Sequence, residues 1–330
     1  MKVNRAWEPA FAGGGATFQK VPLVLDPEQL SGADVVVMGA PMDEFVTNRP
    51  GARFGPRAIR LADDSGGDPR LRHIDAGIDP FEVLAIVDHG DAEVVPGNPL
   101  ASHRAISEMV GRVFDAGAVP MILGGDHSIA YPNIKTVAER FEFGDLAVVQ
   151  FDTHADTGTE NWGVERAHGT PFHYLVEENI IPGDRLIQVG LRGYWPWHEE
   201  FEWARAKGMR WHRMEEVDRR GIGAVIDTVM EEISDAPNLF LSVDIDVLDP
   251  AFAPGTGTPE PGGMTTRELL PAVRRLAAER GLAGMDLVEV SPPYDHADIT
   301  ALAGNRIVME ALVGLALNRA EQEPRPEDPR

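Results

Sequence analysis

The chain has 330 residues, and 30 Lys and Arg against 53 Asp and Glu leave a formal net charge of −23. Hydrophobic residues at 43% and charged residues at 25% exclude wholesale disorder, and the length suffices for one large α/β domain or two average ones. The absence of cysteine excludes disulfides, thiolate zinc sites, Cys-held iron–sulfur clusters and a Cys nucleophile, and it fits a reducing, cytoplasmic location. Such acidity argues against nucleic acid or an anionic membrane as a partner. Apolar runs such as 83–87 and 119–123 fall far short of the ~18 residues a membrane span needs.

In chain order, residues 1–33 carry a Gly13-Gly14-Gly15 run and few apolar positions, and are expected to form an arm over the surface. From there, short β-rich runs alternate with longer amphipathic stretches. Strands are expected at 34–38, 83–87, 119–123, 146–151, 185–189, 239–243 and 284–290. Helices are expected at 56–62, 100–116, 129–141, 171–178, 199–206, 222–234, 266–279 and 299–317. Ser102, Thr170, Thr265 and Asp298 are candidate N-caps, and Gly117, Gly208 and Gly281 sit where helices should stop. The alternation implies a mostly parallel sheet covered by helices on both faces, in a single domain over 34–318. Residues 319–330, RAEQEPRPEDPR, read as a disordered tail.

Ligands of open α/β sheets bind beyond the carboxyl ends of the strands. Three strands here run into metal-ligand residue types at that edge. The run 119–123 leads into Gly124-Gly125-Asp126-His127-Ser128, where two glycines allow a tight turn that presents His127, with Asp126 placed to orient it. The run 146–151 leads into Asp152-Thr153-His154-Ala155-Asp156, and in an extended segment Asp152, His154 and Asp156 would share one face. The run 239–243 leads into Asp244-Ile245-Asp246, two acids that repel unless a cation neutralises them. Asp249-Pro250 reads as a turn start, and residues 251–263 as a shaped Gly/Pro-rich loop. Two His and four Asp are too many for one zinc. They suit two harder ions, Mn²⁺ best, with Ni²⁺, Co²⁺ or Fe²⁺ as alternatives. Such ions, about 3.5–4 Å apart, can bring a bridging water's pKa down toward about 7.

GGDHS at 124–128, DTHAD at 152–156 and SVDIDVLDPAFAPGTGTPEPGG at 242–263, with HGTPF at 168–172 and MDLVEVSP at 285–292, together resemble the ureohydrolases, the arginases and agmatinases. NRPGARFGPRAIR at 48–60 is agmatinase-like. The resemblance implies a three-layer α/β/α arginase-like fold with a mainly parallel eight-stranded sheet, two Mn²⁺ per subunit, and a homotrimer or homohexamer. One ion would be held by His127, Asp152, Asp156 and Asp244, the other by Asp152, His154, Asp244 and Asp246, with Asp152 and Asp244 bridging. Glu289 would pair with a substrate guanidinium and His168 would protonate the leaving amine; with Asp156 they make up the implied catalytic set. Thr153 stands where many members have Ala and is expected to point away from the metals.

The expected reaction releases urea and putrescine from agmatine, with 4-guanidinobutyrate or another guanidino acid as the alternative substrate. Residues 157–167 lack the Ser/Asn pattern with which arginases hold an amino acid. Glu160, Asn161 and Trp162 would suit an ammonium tail, whereas Arg53 or Arg166 would suit a carboxylate. A single-metal deacetylase-like hydrolase fits the paired clusters less well, and a non-catalytic protein on the same scaffold should have lost ligands. Trp195 and Trp197 are expected to pack. Arg53, Phe54 and Arg57 would border the pocket or a neighbouring subunit, and His173 would lie on a helix side.

Overall fold

The computed structural model describes residues 16–62 and 71–322. The Gly13–Gly15 run and the tail beyond Gln322 lie outside the described residues. The chain runs β1 (Val35–Ala40), α1 (Gly55–Leu61), α2 (Pro80–Val83), β2 (Ile86–Asp91), α3 (Pro99–Asp115), β3 (Val119–Gly124), α4 (Ala130–Ala138), β4 (Leu146–Phe151) and α5 (Pro171–Glu177). It continues through β5 (Leu186–Leu191), α6 (His198–Ala206), β6 (Arg210–Arg213), α7 (Met214–Arg220), α8 (Ile222–Glu232), β7 (Asn238–Asp244), α9 (Thr266–Arg280), β8 (Gly284–Val288) and α10 (Ile299–Gln322).

The eight strands form one sheet in the order β2-β1-β3-β8-β7-β4-β5-β6, and every pairing is parallel rather than mainly so. Alternation along each strand divides the core between the two faces. Val35, Val37, Val149 and Leu241 enter one cluster with α7–α10, while Val36, Met38, Val148 and Phe240 enter the other with α3–α6. Helices on both faces thus make three layers.

Several local expectations change. The expected run 83–87 is split, because Asp79 caps a turn of helix starting at Pro80 and the strand begins only at Ile86. β6, Arg-Trp-His-Arg, is an addition to the expected strands: at the sheet edge it carries none of the apolar continuity that marks the buried ones. α7 is also additional. Asn98, not Ser102, caps α3, and Ser102 is buried within the helix. Thr265 does cap α9, in a reciprocal capping box with Glu268. α10 continues past the expected end at 317 to Gln322, so the first four residues assigned to a tail are helical. The described part of the N-terminal arm is not confined to the surface either, since Phe18, Val21 and Leu30 are buried in the core.

That segment is anchored by a buried ion pair. Arg60 donates from Nε and Nη2 to the two oxygens of Asp88, at 2.8 and 3.0 Å, and Asp88 also accepts from the Phe18 N–H at 2.9 Å. Arg60→Ala should destabilise the protein by about 3–5 kcal/mol, because it strands a buried carboxylate. Denaturant unfolding checks this, and a loss below about 1 kcal/mol would show that the pair does not hold the segment.

Candidate active site

Four adjacent strands, β3, β8, β7 and β4, end at one place on the sheet edge. After β3 the chain turns so closely under the β1 exit that a Cβ on Gly125 would meet the Met42 carbonyl oxygen at 1.8 Å, so only glycine fits. Asp126 then accepts from the Ser128 N–H at 3.0 Å and caps a 3-10 turn, His127–Ile129, that projects the His127 ring over the edge. After β7, Asp244 caps a second such turn and accepts from the Asp246 N–H at 2.8 Å, bringing both acids to one side. After β4 the extended geometry expected of Asp152, His154 and Asp156 does not occur. Asp152 accepts from the His154 N–H at 2.6 Å, and Asp156 has left-handed backbone with φ 50°, so the loop curls the three groups together.

All six expected ligands converge. His127 Nδ1 lies 3.0 Å from Asp152, 2.9 Å from Asp156 and 3.2 Å from Asp244. His154 Nδ1 lies 3.1 Å from Asp246 and 3.6 Å from Asp152. Two groups able to hold an ion result, His127-Asp152-Asp244 and Asp152-His154-Asp246, each with its ligand atoms within 4.8 Å of one another, and Asp152 is common to both.

The electrostatics fit cations here. Burial, then repulsion from Asp246 and Asp152, pushes Asp244 well above the carboxylate range. Burial raises Asp246 to about 6, and burial with the Asp152 charge raises Asp156. Asp152 is lowered, its burial outweighed by the two imidazoles. Both imidazoles are raised well above their usual range, because the surrounding carboxylates overcome burial. His127 Nδ1 is buried without a well-directed hydrogen bond. Protons can only partly settle four buried acids around two rings, whereas divalent cations settle all six groups, and the oxygen-rich set suits hard or borderline ions.

The backs of these ligands are held by residues not among the expected site residues, although Ser242 and Asp286 fall within two of the matching motifs. His127 Nε2 is 3.0 Å from Ser242 Oγ, which donates to Asp286 at 2.6 Å; Asn133 donates to the other Asp286 oxygen at 3.0 Å. Gln150 donates to Asp152 at 2.7 Å, and Gln188 donates to Gln150 at 2.6 Å. Gln188, Gln150, Ser242 and Asp286 occupy one register row across β5, β4, β7 and β8. A lone polar residue interrupting each apolar run was the available signal. Asp126 does not orient the His127 ring as expected; it fixes the backbone through Ser128 and Phe45.

Glu289, just past β8, has φ 62° and accepts from the His127 N–H at 2.9 Å. The same oxygen is 2.9 Å from His168 Nδ1, and the other is buried and unbonded. His168 Nε2 accepts from the Thr47 N–H at 3.1 Å and lies 2.8 Å from the Thr47 hydroxyl. Burial alone would lower His168, but Glu289 brings it up to about 8. The Thr47 N–H favours a neutral ring, yet a full carboxylate charge in a buried site outweighs one amide dipole. Glu289 is lowered in turn, its burial outweighed by His168.

Above the centre opens a cavity of about 430 Å³, reaching from His154, Asp156 and Asp244 to Trp162, Trp197 and Glu200. Asn161 and Trp162 line it, and Asn161 Oδ1 is committed to the Gly169 N–H at 3.0 Å. Arg53, Phe54 and Arg57 are not among its lining residues. Arg53 pairs with Asp43, and Arg166 pairs with Glu178 between Tyr131 and Tyr174. Trp195 and Trp197 are exposed at the cavity rather than packed away, and His173 stacks on Trp203 from α5. Thr153 Oγ1 is buried without a hydrogen bond.

An all-parallel α/β/α sheet with a doubled His/Asp cluster at its carboxyl edge defines a class of two-metal hydrolase folds. The Arginase family model matches residues 33–314. Proclavaminate amidinohydrolase of Streptomyces clavuligerus is 41% identical over 300 residues, covering 90% of this chain and 91% of that one. Its solved structure superposes with a TM-score of 0.86 at 37% identity, covering 94% and 100% of the two chains. Agmatinase of Chromobacterium violaceum is 40% identical over 86% of this chain and 84% of its own, and guanidinobutyrase of Pseudomonas aeruginosa is 38% identical over 91% and 92%. The chain belongs to the arginase family, whose members are binuclear-metal-dependent, and is a guanidino hydrolase of that family.

Two outcomes are expected of this geometry. Asp286→Ala should leave the circular dichroism spectrum unchanged but weaken metal binding by about 10–100-fold, measured as metal retained on dialysis; undiminished retention would remove Asp286 from the support of His127. Because His168 is raised, its contribution to the stability of the metal-free protein should be complete below about pH 6.5 and be lost as pH rises through about 8. Unfolding of wild type and His168→Gln at pH 6 and 9 checks this, and a pH-independent difference would contradict it.

Proposed function

We propose that the protein hydrolyses agmatine to urea and putrescine, with two Mn²⁺ ions held by His127, Asp152, His154, Asp156, Asp244 and Asp246. When bound, the ions supply Lewis acidity and a water deprotonated near neutral pH. The chain's own residues do the rest. Glu289 offers its unbonded oxygen to the planar guanidinium and holds the carbon in place. His168, raised by Glu289 and held against the Thr47 hydroxyl, delivers a proton to the departing nitrogen.

The choice of agmatine rests on one observation. Beyond the proposed metal ligands Asp156 and Asp244, the cavity lining offers the acids Glu160 and Glu200 and, among the described residues, no Lys or Arg. The two arginines that would receive a carboxylate tail, Arg53 and Arg166, are already paired. Likeness to guanidinobutyrase supports 4-guanidinobutyrate as the second reading. The resemblance to the ureohydrolases supports assembly as a homotrimer or homohexamer.

Urea release from Mn²⁺-loaded protein should be fastest with agmatine, and slower with 4-guanidinobutyrate, 3-guanidinopropionate and arginine. Preference for a carboxylate-ended substrate would overturn the choice. Asp152→Ala should lower turnover by at least about a thousandfold, since it removes the side chain common to both clusters. Retained activity at full metal content would overturn the ligand assignment.

A further inference from the structure

The chain repeatedly builds one arrangement on its surface: an aromatic ring, a carboxylate, and a cation satisfying both. Arg166 lies 4.0 Å from the Tyr174 ring and 4.3 Å from the Tyr131 ring, and pairs with Glu178. Arg140 lies 5.6 Å from the Phe114 ring and pairs with Asp115, and Lys207 lies 5.9 Å from the Trp203 ring and pairs with Glu177. At the cavity mouth the rings and the carboxylates are present, but among the described residues no Lys or Arg lines the cavity. Trp195 and Trp197 stand edge to face with centroids 4.5 Å apart, and are 51% and 59% exposed. Trp162, from the other lining loop, is 85% exposed. Glu200 sits in the first turn of α6, its N–H donating to the Trp197 carbonyl at 3.1 Å, so ring and carboxylate are set by one helix start. Among the described residues, neither Glu200 nor Glu160 has an ion-pair partner, and all five residues line the same cavity.

We propose that this mouth is a subsite for an alkylammonium group, with Trp195 and Trp197 supplying aromatic faces and Glu200 the countercharge. The inference rests on the guanidino hydrolase reading, in which the substrate's reacting end lies over the metal centre and its other end leaves through this opening. Cation–π attraction accepts methylated ammonium as readily as the primary form. The subsite therefore selects guanidino compounds ending in an amine, including N-methylated amines, over those ending in a carboxylate.

The test uses metal-free full-length protein. Tryptophan fluorescence is titrated with butylammonium and, at equal ionic strength, with butyrate. Butylammonium should give a saturable change and butyrate none, and Glu200→Gln, which keeps every tryptophan, should raise the half-saturating concentration about tenfold. In the Mn²⁺-loaded enzyme, Glu200→Gln and Trp197→Leu should each raise KM for agmatine about tenfold with kcat within about threefold, as expected when binding shared by ground and transition states is removed. Equal responses to the two ions, or wild-type butylammonium binding by Glu200→Gln, would overturn the subsite. So would a response that appears only on dilution to monomer, because a second copy would then be the occupant. If no guanidino compound yields urea while butylammonium still binds, the hydrolase reading falls alone; if agmatine yields urea with Glu200→Gln unchanged, the subsite falls alone.

Discussion

Four aspartates crowded at the end of a buried parallel sheet are the constraint on which the site depends. Their mutual repulsion and loss of water would ordinarily push such groups apart or neutralise them, and Asp244 and Asp246 are already displaced upward for that reason. The fold keeps them together through strand ends and tight backbone turns. Asp152 comes directly after β4, Asp244 ends β7, and Asp246 is turned back by a backbone bond to Asp244. Local hydrogen bonds thus oppose a through-space repulsion that the two imidazoles relieve in part and bound cations would relieve further.

Stiffness reaches these acids from below. The polar row Gln188, Gln150, Ser242 and Asp286 lies one pleat beneath the ligands, on the face covered by α3–α6. Each member spends its hydrogen bonds on a neighbour or on a ligand, so a row that would weaken an apolar core instead fixes the direction of His127 and Asp152. Glu289 and His168 form a second, separate pair beside the centre. The two ring nitrogens of His168 face a carboxylate on one side and Thr47 on the other, which fixes the ring's orientation independently of the metals.

Much of this is legible in the sequence because buried parallel strands are uninterrupted apolar runs, and the residues just after each run emerge at one edge of the sheet. Six candidate ligand positions can be picked out in that way, yet for DTHAD a strand-like alternation gives the wrong geometry, because a left-handed Asp156 curls the loop. Periodicity describes regular backbone only, and ligand loops are irregular. β6 is hidden because an edge strand with two arginines has no apolar signature. Thr47 and Glu200 are hidden because they reach the site from the loop after β1 and the start of α6, and no spacing rule links them to the ligands. Asp286 is visible as an acid inside an apolar run, but its meaning depends on Ser242 lying beside it in register.

The position of β8 carries a consequence for how the centre comes into being. All six candidate ligand side chains precede residue 250, but the last described strand is seated between β3 and β7, separating the strand that leads to His127 from the one that ends in Asp244. Until residues 284–288 have emerged from the ribosome and taken that slot, the spacing between those donors is undefined. Because β4 and β7 pair directly, the Asp152-His154-Asp246 group can form without β8, and what the late strand sets is the group that includes His127.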